Sequence, residues 1–197
     1  DHRDLHSFPT RRSSDLLSIL FISSLVFISC SDDDDPIPVN EEEVITTMTA
    51  TLTPTGGGTA IVLKTQDLDG DGPNAPVITV SNSLAINTVY TGVMEVLNET
   101  ETPAEDITEE VLEEALEHQF FFTPTNGIAT VAYTDTDSEG NPVGIQFTLT
   151  TTDAGSGTIT ISLVHEPEKT EPGVSSGDIT NAEGETDIDA TFSIVVQ

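Results

Sequence analysis

The fold is decided by residues 143–163, which read VGIQFTLTTTDAGSGTITISL. Apolar and polar residues alternate along 143–150 and again along 158–163, so each segment has one apolar face. Residues 153–157 between them combine aspartate, glycine and serine, which is typical of a turn. The stretch therefore predicts two half-buried β-strands joined by a turn.

The same alternation recurs along most of the chain after residue 43. Strand-like segments cover residues 46–52, 60–64, 77–80, 87–97, 120–122, 128–133, 143–150, 158–163 and 188–196. Asn126-Gly127 suits a type I′ turn, which predicts a β-hairpin and, with the next two strands, a four-stranded meander. The expected fold class is all-β, an antiparallel β-sandwich of about nine strands with one short helix; a closed β-barrel is the alternative.

One segment, residues 106–117, departs from this alternation and predicts the helix. Thr108 is the expected N-cap, and the acidic residues of the first turn complement the helix dipole. The expected apolar stripe consists of Val111, Leu112, Ala115 and Leu116. We expect this helix to close one open end of the sheet pair.

The chain is strongly acidic, with 35 Asp and Glu residues against 5 Lys and Arg residues and a net charge of −30. Such a surface repels nucleic-acid phosphates and gains nothing from anionic lipids, so nucleic-acid binding and electrostatic membrane binding are excluded. It attracts divalent cations instead. Trp is absent and aromatic residues make up 5% of the chain, which favours a core of aliphatic residues and Phe.

An apolar run at residues 16–29 ends directly before Cys30, the only cysteine, and residues 31–35 read SDDDD. This arrangement resembles a bacterial lipoprotein signal, in which the cysteine thiol is diacylated and the preceding peptide is removed. The run is shorter than the roughly 20 apolar residues that a membrane-spanning helix needs. We therefore expect Cys30 to carry the lipid, with palmitate among its acyl chains. The acidic cluster after it resembles the export signal of Bacteroidota-type surface lipoproteins.

These signals divide the chain into regions. Residues 1–16 read DHRDLHSFPTRRSSDL, which resembles a translated sequencing adapter, and we expect them to be an artefact. Residues 17–30 are expected to be a truncated lipoprotein signal peptide, and residues 31–43 an extended acidic tether. Residues 44–197 have the length of a single β-sandwich domain. The expected location is the outer membrane, anchored by lipid and facing the cell surface, with a periplasm-facing orientation as the alternative.

Two acidic loops match the first half of a calcium-binding loop. Acidic residues alternate in each loop before a glycine is reached: Asp67, Asp69 and Asp71 in the first, and Asp135, Asp137 and Glu139 in the second. Oxygen ligands at alternate positions, followed by glycine, can converge on Ca²⁺. Neither loop has an acidic residue at the twelfth position, and Asp-Gly and Glu-Gly steps are also common turn formers. Calcium is therefore the one expected cofactor, with simple turns as the alternative.

His118 and His165 are the only histidines after residue 16. The parity of their strands turns both inward, so we expect them to meet at one rim of the sandwich. With Glu117 or Glu166 they would hold zinc or act as an acid–base pair. The alternative is that both are hydrogen-bonded to the backbone, because no third ligand stands at a diagnostic spacing.

The chain from residue 16 onward resembles a family of small flavobacterial-type surface lipoproteins. The resemblance is carried by EEEVITT at 41–47, DLDGDG at 67–72, LNET at 97–100, EDITEE at 105–110, HQ at 118–119, VHEP at 164–167 and SGDITN at 176–181. Members of that family are often labelled type 1 periplasmic binding fold proteins, which implies a two-lobed α/β fold of about twice this length. The alternation in this chain predicts β-strands instead. The resemblance implies no established activity.

Together these features predict a lipid-anchored envelope protein with a non-enzymatic role in binding a ligand or a protein partner. Motifs for a serine nucleophile, a phosphate-binding glycine loop and an HExxH zinc site are absent from the sequence. The alternative is an envelope hydrolase that uses carboxylates or the pair of His118 and His165.

Overall fold

The computed structural model describes residues 43–70 and 72–197, which form ten β-strands and one α-helix in two antiparallel sheets. The strands are β1 (Thr47–Pro54), β2 (Ile61–Gln66), β3 (Val77–Val80), β4 (Val89–Asn98), β5 (Glu105–Asp106), β6 (His118–Pro124), β7 (Ala129–Tyr133), β8 (Gln146–Thr151), β9 (Gly155–His165) and β10 (Glu185–Val196). The larger sheet has the order β3-β2-β1-β4-β8-β7, with β5 paired to the end of β4, and the smaller sheet has the order β10-β9-β6. The two sheets remain separate in the described part of the chain. The predicted β-sandwich is therefore confirmed, rather than the alternative of a closed barrel.

Alternate side chains of the strands fill one core between the sheets. The buried residues of three strands follow the predicted parity: Met48, Ala50 and Leu52 on β1, Ile159, Ile161 and Leu163 on β9, and Ala190, Phe192, Ile194 and Val196 on β10. On β4 the buried residues are Tyr90, Met94 and Val96. Burial of each large side chain contributes about 1.5–3 kcal/mol. Gly92 of β4 interrupts the series opposite Phe147 of β8, whose ring occupies the space that a Cβ at Gly92 would need.

Strands β6 to β9 form a long two-stranded ribbon that bends from one sheet into the other. β6 pairs with β9 in the smaller sheet, whereas β7 pairs with β8 in the larger sheet. The register changes at the bend, since Pro124 is opposite Ile159 but Ala129 is opposite Thr151. The predicted hairpin of β6 with β7 and the predicted meander are therefore wrong. Alternation specifies which face of a strand is buried, but it does not specify the neighbouring strand.

The Asn126-Gly127 turn has the backbone conformation that its sequence predicts. Both residues have a positive φ, 56° at Asn126 and 63° at Gly127, as a type I′ turn requires. The amide of Ile128 donates to the carbonyl of Thr125 across the turn (3.2 Å). Because the strands on either side enter different sheets, this turn forms a corner of the sandwich rather than the end of a hairpin.

Helix α1 spans Ile107–Glu113, and its N-cap is Asp106 rather than the predicted Thr108. The Asp106 carboxylate accepts a hydrogen bond from the Thr108 amide (3.0 Å). The Thr108 hydroxyl is engaged elsewhere, because it donates to the Val96 carbonyl and accepts from the Val96 amide on β4. The helix is thus shorter than predicted and is fastened to the larger sheet at its first turn.

The buried face of α1 consists of Ile107 and Val111, which join the main core. Leu112 and Leu116 of the predicted stripe are 54% and 48% exposed, so that part of the prediction is wrong. No helix among the described residues is long and apolar enough to cross a membrane.

The segment between β9 and β10 covers part of the outer face of the smaller sheet. It contains two short 3₁₀ helices, Val174–Ser176 and Ile179–Asn181. Val174 and Ala182 pack against Phe121 and Val164 and form a second, smaller core. The glycine-, serine- and glutamate-rich sequence predicts only a loop here, yet its few apolar residues bury that part of the sheet.

One buried ion pair fastens this segment to the rest of the domain. The Nζ of Lys169 donates to Oδ2 of Asp137 (3.0 Å) and to the carbonyls of Ala115 (2.6 Å) and Pro142 (3.2 Å). The Lys169 side chain is 5% exposed and that of Asp137 is fully buried. Burial lowers the pKa of Lys169, although Asp137 opposes this effect. Burial alone would raise the pKa of Asp137, but Lys169 and two backbone amides bring it below its ordinary value.

Lys169→Met is expected to lower the free energy of unfolding by about 3–5 kcal/mol, because it leaves the Asp137 carboxylate buried without its cation. Equilibrium denaturation at neutral pH measures this change. Lys64→Met is the control and is expected to change the free energy by less than about 0.5 kcal/mol. The double variant Lys169→Met/Asp137→Asn should lose less stability than the sum of the two single variants. A Lys169→Met protein as stable as the control would contradict the prediction.

Candidate functional site

Two histidines face each other between β6 and β9. His118 begins β6 and His165 ends β9, and the antiparallel register places them directly opposite. Their rings are stacked, with centroids 4.5 Å apart and planes 13° from parallel. Both residues are buried, His118 completely. The two histidines therefore meet, as the strand parity predicts, but inside the domain rather than at an exposed rim.

Two carboxylates approach His118 from distant parts of the sequence. Its Nε2 lies 3.1 Å from Oε1 of Glu43 and 4.0 Å from Oδ2 of Asp187. The side chain of Asp187 is 2% exposed and that of Glu43 is 11% exposed. On the other side of the ring, Nδ1 lies 3.3 Å from the carbonyl of Glu114. A carbonyl only accepts hydrogen bonds, so Nδ1 is the nitrogen that carries a proton.

A β-bulge turns Asp187 toward His118. In the pairing of β10 with β9, Thr186 is opposite Val164 and Ile188 is opposite Leu163, so Asp187 is an extra residue in the ladder. Bulges change the direction of a side chain and are frequent beside functional sites. The sequence contains no signal for this irregularity, and Glu43 falls within the predicted tether, so neither carboxylate is identified from the sequence.

Burial and neighbouring charges dominate the electrostatics of this cluster. Burial raises the pKa of Asp187 to about 6; the Glu43 carboxylate adds to the rise, while the two histidines oppose it. Burial lowers the pKa of His118, but the Glu43 carboxylate, the Glu114 carbonyl and Asp187 outweigh it and raise the pKa above its ordinary value. Protons or cations therefore stabilise this cluster, because each partly neutralises the buried carboxylates.

A second group of ligand-type side chains lies against His165. Its Nε2 is 3.8 Å from Oε2 of Glu117, and Glu166 follows it directly in the chain. One ligand atom from each of these three residues lies within 4.8 Å of the others, and the same holds for Glu43, His118 and Asp187. Glu117 and Glu166, the partners expected from the sequence, thus accompany His165. Both are exposed, in contrast to the carboxylates beside His118.

The burial of His118 limits the chemistry that this cluster can perform. A general acid or base has to come within hydrogen-bonding distance of its substrate. His118 is completely buried, so a substrate cannot touch it in this conformation. A surface cavity of about 310 Å³ lies between α1 and the loop after β7, but its lining contains no histidine. The geometry suits cation binding better than acid–base catalysis.

The first acidic loop lies at the surface beside a cavity of about 270 Å³. The Asp69 carboxylate accepts a hydrogen bond from the side-chain amide of Asn74 (2.6 Å), which lowers the pKa of Asp69. Asp67 accepts a bond from the backbone amide of Asp69 (3.2 Å). Asp71 lies outside the described residues. Calcium binding at this loop stays a prediction.

The second acidic loop uses its carboxylates internally. Asp135 accepts from the backbone amides of Gly144 (2.9 Å) and Gln146 (2.8 Å). Asp137 accepts from the amide of Glu139 (2.9 Å) and from Lys169. No group of three ligand-type side chains found in the described part of the chain includes an acidic residue of either loop. These contacts favour the interpretation of the second loop as a turn, and calcium binding there stays a prediction.

We expect millimolar Ca²⁺ to raise the melting temperature more than Na⁺ at matched ionic strength. A cation that binds only the folded state stabilises it by about 2.7 kcal/mol at a hundredfold excess over Kd. Scanning calorimetry of the wild type and of Asp69→Asn/Asp71→Asn measures the effect, and the double variant should lose the additional rise. Asp153→Asn, in a different exposed turn, is the control. If calcium and sodium raised the melting temperature equally, the prediction would be wrong and the loops would act only as turns.

The chain matches no protein-family model, no curated protein and no solved structure. The resemblance to flavobacterial-type surface lipoproteins therefore stays a prediction from the sequence. Cys30, the expected lipid attachment site, lies outside the described residues. Function has to be inferred from the geometry of residues 43–70 and 72–197.

Proposed function

We propose that this chain is a lipid-anchored envelope protein that binds a protein partner and has no enzymatic activity. The lipid on Cys30 holds it in the outer membrane, with the sandwich facing the cell surface or, alternatively, the periplasm. The observation that supports a binding role is the exposed face of the larger sheet, named here the threonine face. The name is used for five neighbouring strands of that sheet, β2, β1, β4, β8 and β7, whose outward-facing residues are Thr49, Thr51, Thr53, Val62, Lys64, Gln66, Val89, Thr91, Val93, Glu95, Thr130, Ala132, Gln146, Thr148 and Thr150.

The threonine face is nearly free of charge. It contains seven threonines and only two charged residues, Lys64 and Glu95, in a chain whose net charge is −30. The cores of protein interfaces are depleted in charged residues, and a strongly acidic surface repels other acidic proteins. An uncharged sheet face is therefore the surface that another protein can approach at the lowest electrostatic cost.

The threonine face is also regular. The register aligns Thr51 with Val62 and Val93, and it aligns Thr91 with Thr53 and Thr148. Neighbouring strands are about 4.8 Å apart, so five strands span about 20 Å. The face has no aromatic side chain on which a sugar ring could stack. Its rows of methyl and hydroxyl groups fit the flat face of another β-sheet, because sheets pack face to face through interdigitated side chains.

A second copy of the chain is the partner that fits this face best. Thr49 is opposite Lys64 on β2 and opposite Glu95 on β4. Lys64 and Glu95 thus lie at the same height on opposite sides of β1. A two-fold axis parallel to β1 therefore brings each Lys64 to the partner's Glu95. The face is self-complementary, as an isologous dimer requires. The face covers roughly 400 Å², against about 800 Å² per partner in a standard interface, so the dimer is weak. Anchoring in one membrane raises the effective concentration and favours pairing.

The hydrolase alternative has less support. Its candidate acid–base pair is His118 and His165, which are stacked on each other and buried. Carboxylate pairs are expected in any chain this acidic, and their presence does not identify a reaction.

Cys30→Ser, expressed behind a functional lipoprotein signal peptide, is expected to leave the protein unanchored, because lipoprotein signals are acylated at a cysteine thiol and Cys30 is the only cysteine. Detergent-phase partitioning and incorporation of labelled palmitate measure anchoring. The wild type should enter the detergent phase and carry the label, and the variant should do neither. A wild type that is membrane-bound but unlabelled would show that another element anchors it.

Val93→Glu is expected to weaken self-association by at least about tenfold, because it places a carboxylate in the middle of the threonine face. Val195→Glu on β10 is the matched control, since Val93 and Val195 are 46% and 47% exposed but lie on different sheets. Sedimentation velocity of the chain from residue 31 onward measures the dimer fraction. For the wild type this fraction should increase with salt, which screens the repulsion between acidic copies.

Two results would contradict the proposed partner. One is a wild type that stays monomeric at every salt and protein concentration tested. The other is an equal effect of Val93→Glu and Val195→Glu on association, which would place any interface away from the threonine face.

A further inference from the structure

We propose that Glu43, His118 and Asp187 bind one divalent transition-metal ion, with zinc as the expected cation. The site joins the segment before β1, the start of β6 and the bulge of β10. It lies apart from the threonine face and does not depend on the binding role proposed for that face.

The ligand atoms are at distances that a single ion can bridge. Nε2 of His118 is 3.1 Å from Oε1 of Glu43 and 4.0 Å from Oδ2 of Asp187. One ligand atom of each residue lies within 4.8 Å of the other two. Zinc binds nitrogen and carboxylate oxygen at about 2.0–2.2 Å, so the ligand atoms of a tetrahedral site lie roughly 3.3–3.6 Å from one another. Small side-chain movements are enough to bring the three groups onto one ion.

Three buried atoms of this cluster lack a hydrogen-bond partner among the described residues: Glu43 Oε2, His118 Nε2 and Asp187 Oδ2. When the only imidazole proton is on Nδ1, Nε2 and the Glu43 carboxylate are both acceptors, so their 3.1 Å approach is not a hydrogen bond. Buried polar atoms without partners are rare in folded proteins, and buried carboxylates are especially costly to leave uncompensated. A cation at the centre of the cluster satisfies all three groups together.

The surroundings orient the ligands as metal sites do. The Glu114 carbonyl accepts a hydrogen bond from Nδ1 of His118, which directs the lone pair of Nε2 toward the carboxylates when the imidazole is neutral. The bulge directs the Asp187 carboxylate into the interior, where its side chain is 2% exposed. A chance encounter of acids on an acidic surface requires neither arrangement.

The types of ligand select the cation. Calcium and magnesium take oxygen ligands, whereas imidazole nitrogen combined with carboxylates is typical of zinc and the neighbouring transition metals. Three protein ligands leave a fourth position for water or for the second oxygen of Glu43. Because His118 and Asp187 are buried, the ion crosslinks three segments of the fold and is shielded from substrates. We therefore assign it a structural role.

The test is a zinc titration of the full chain by isothermal calorimetry in excess Ca²⁺, which occupies the exposed carboxylates. Elemental analysis after dialysis gives the number of zinc ions per chain. The expected result is one zinc ion per chain and a melting temperature that rises with zinc. Asp187→Asn is expected to weaken zinc binding by more than about tenfold, because loss of an outer-shell partner alone costs about 10–100-fold.

Two control variants separate this site from other acidic groups. Asp189→Asn removes an exposed carboxylate two positions along β10 and should bind zinc as the wild type does. Glu117→Gln removes a ligand of the group around His165 and should also leave zinc binding unchanged. Asn has nearly the shape of Asp, and circular dichroism establishes that Asp187→Asn is folded.

A spectroscopic measurement keeps the test decisive if Asp187→Asn does not fold. Co²⁺ in place of zinc should give visible absorption bands typical of low coordination number in the wild type and lose them in His118→Gln. The proposal is overturned if the wild type binds no zinc in excess calcium, or if Asp187→Asn or His118→Gln binds zinc as the wild type does. It is also overturned if Glu117→Gln is the variant that loses binding.

Discussion

The bend in the ribbon of β6 to β9 is the constraint on which the rest of the domain depends. It carries one continuous pair of strands from the smaller sheet into the larger, so the two sheets cannot separate without breaking the ribbon. The far end of the ribbon folds back on its beginning, where the Phe120 amide donates to the Val143 carbonyl (2.7 Å). The Tyr133 hydroxyl donates to the Phe120 carbonyl (2.8 Å). The register of β6 with β9 also sets His118 opposite His165.

The sequence predicts the strands of this fold better than it predicts their partners. Burial of alternate residues is a local pattern, so the inward faces of β1, β9 and β10 can be read directly from the sequence. Pairing is decided by contacts between residues far apart in the chain, as the separation of β6 from β7 shows. The Asn126-Gly127 turn illustrates the difference, since its dihedral angles are local and its role at a corner is not.

The same distinction between local patterns and long-range contacts applies to the candidate metal cluster and its neighbouring histidine. The meeting of His118 and His165 follows from strand parity and could be predicted. Glu43 and Asp187 could not, because one precedes the first strand and the other is directed inward by a bulge. In a chain with 35 acidic residues, neither glutamate nor aspartate stands out by its type alone. Burial is the property that distinguishes these two carboxylates, and it becomes visible only in three dimensions.

The place of β1 in the larger sheet bears on how the domain carries mechanical load. β1 is the first strand of the sandwich, yet it lies between β2 and β4 instead of at an edge. A pull on the N-terminal side of the domain is therefore transmitted into two ladders at once, six residue pairs with β2 and eight with β4. An edge strand would detach by opening a single ladder from its end. A domain held by its N-terminal side is thus loaded through an interior strand, which detaches only if both of its ladders open.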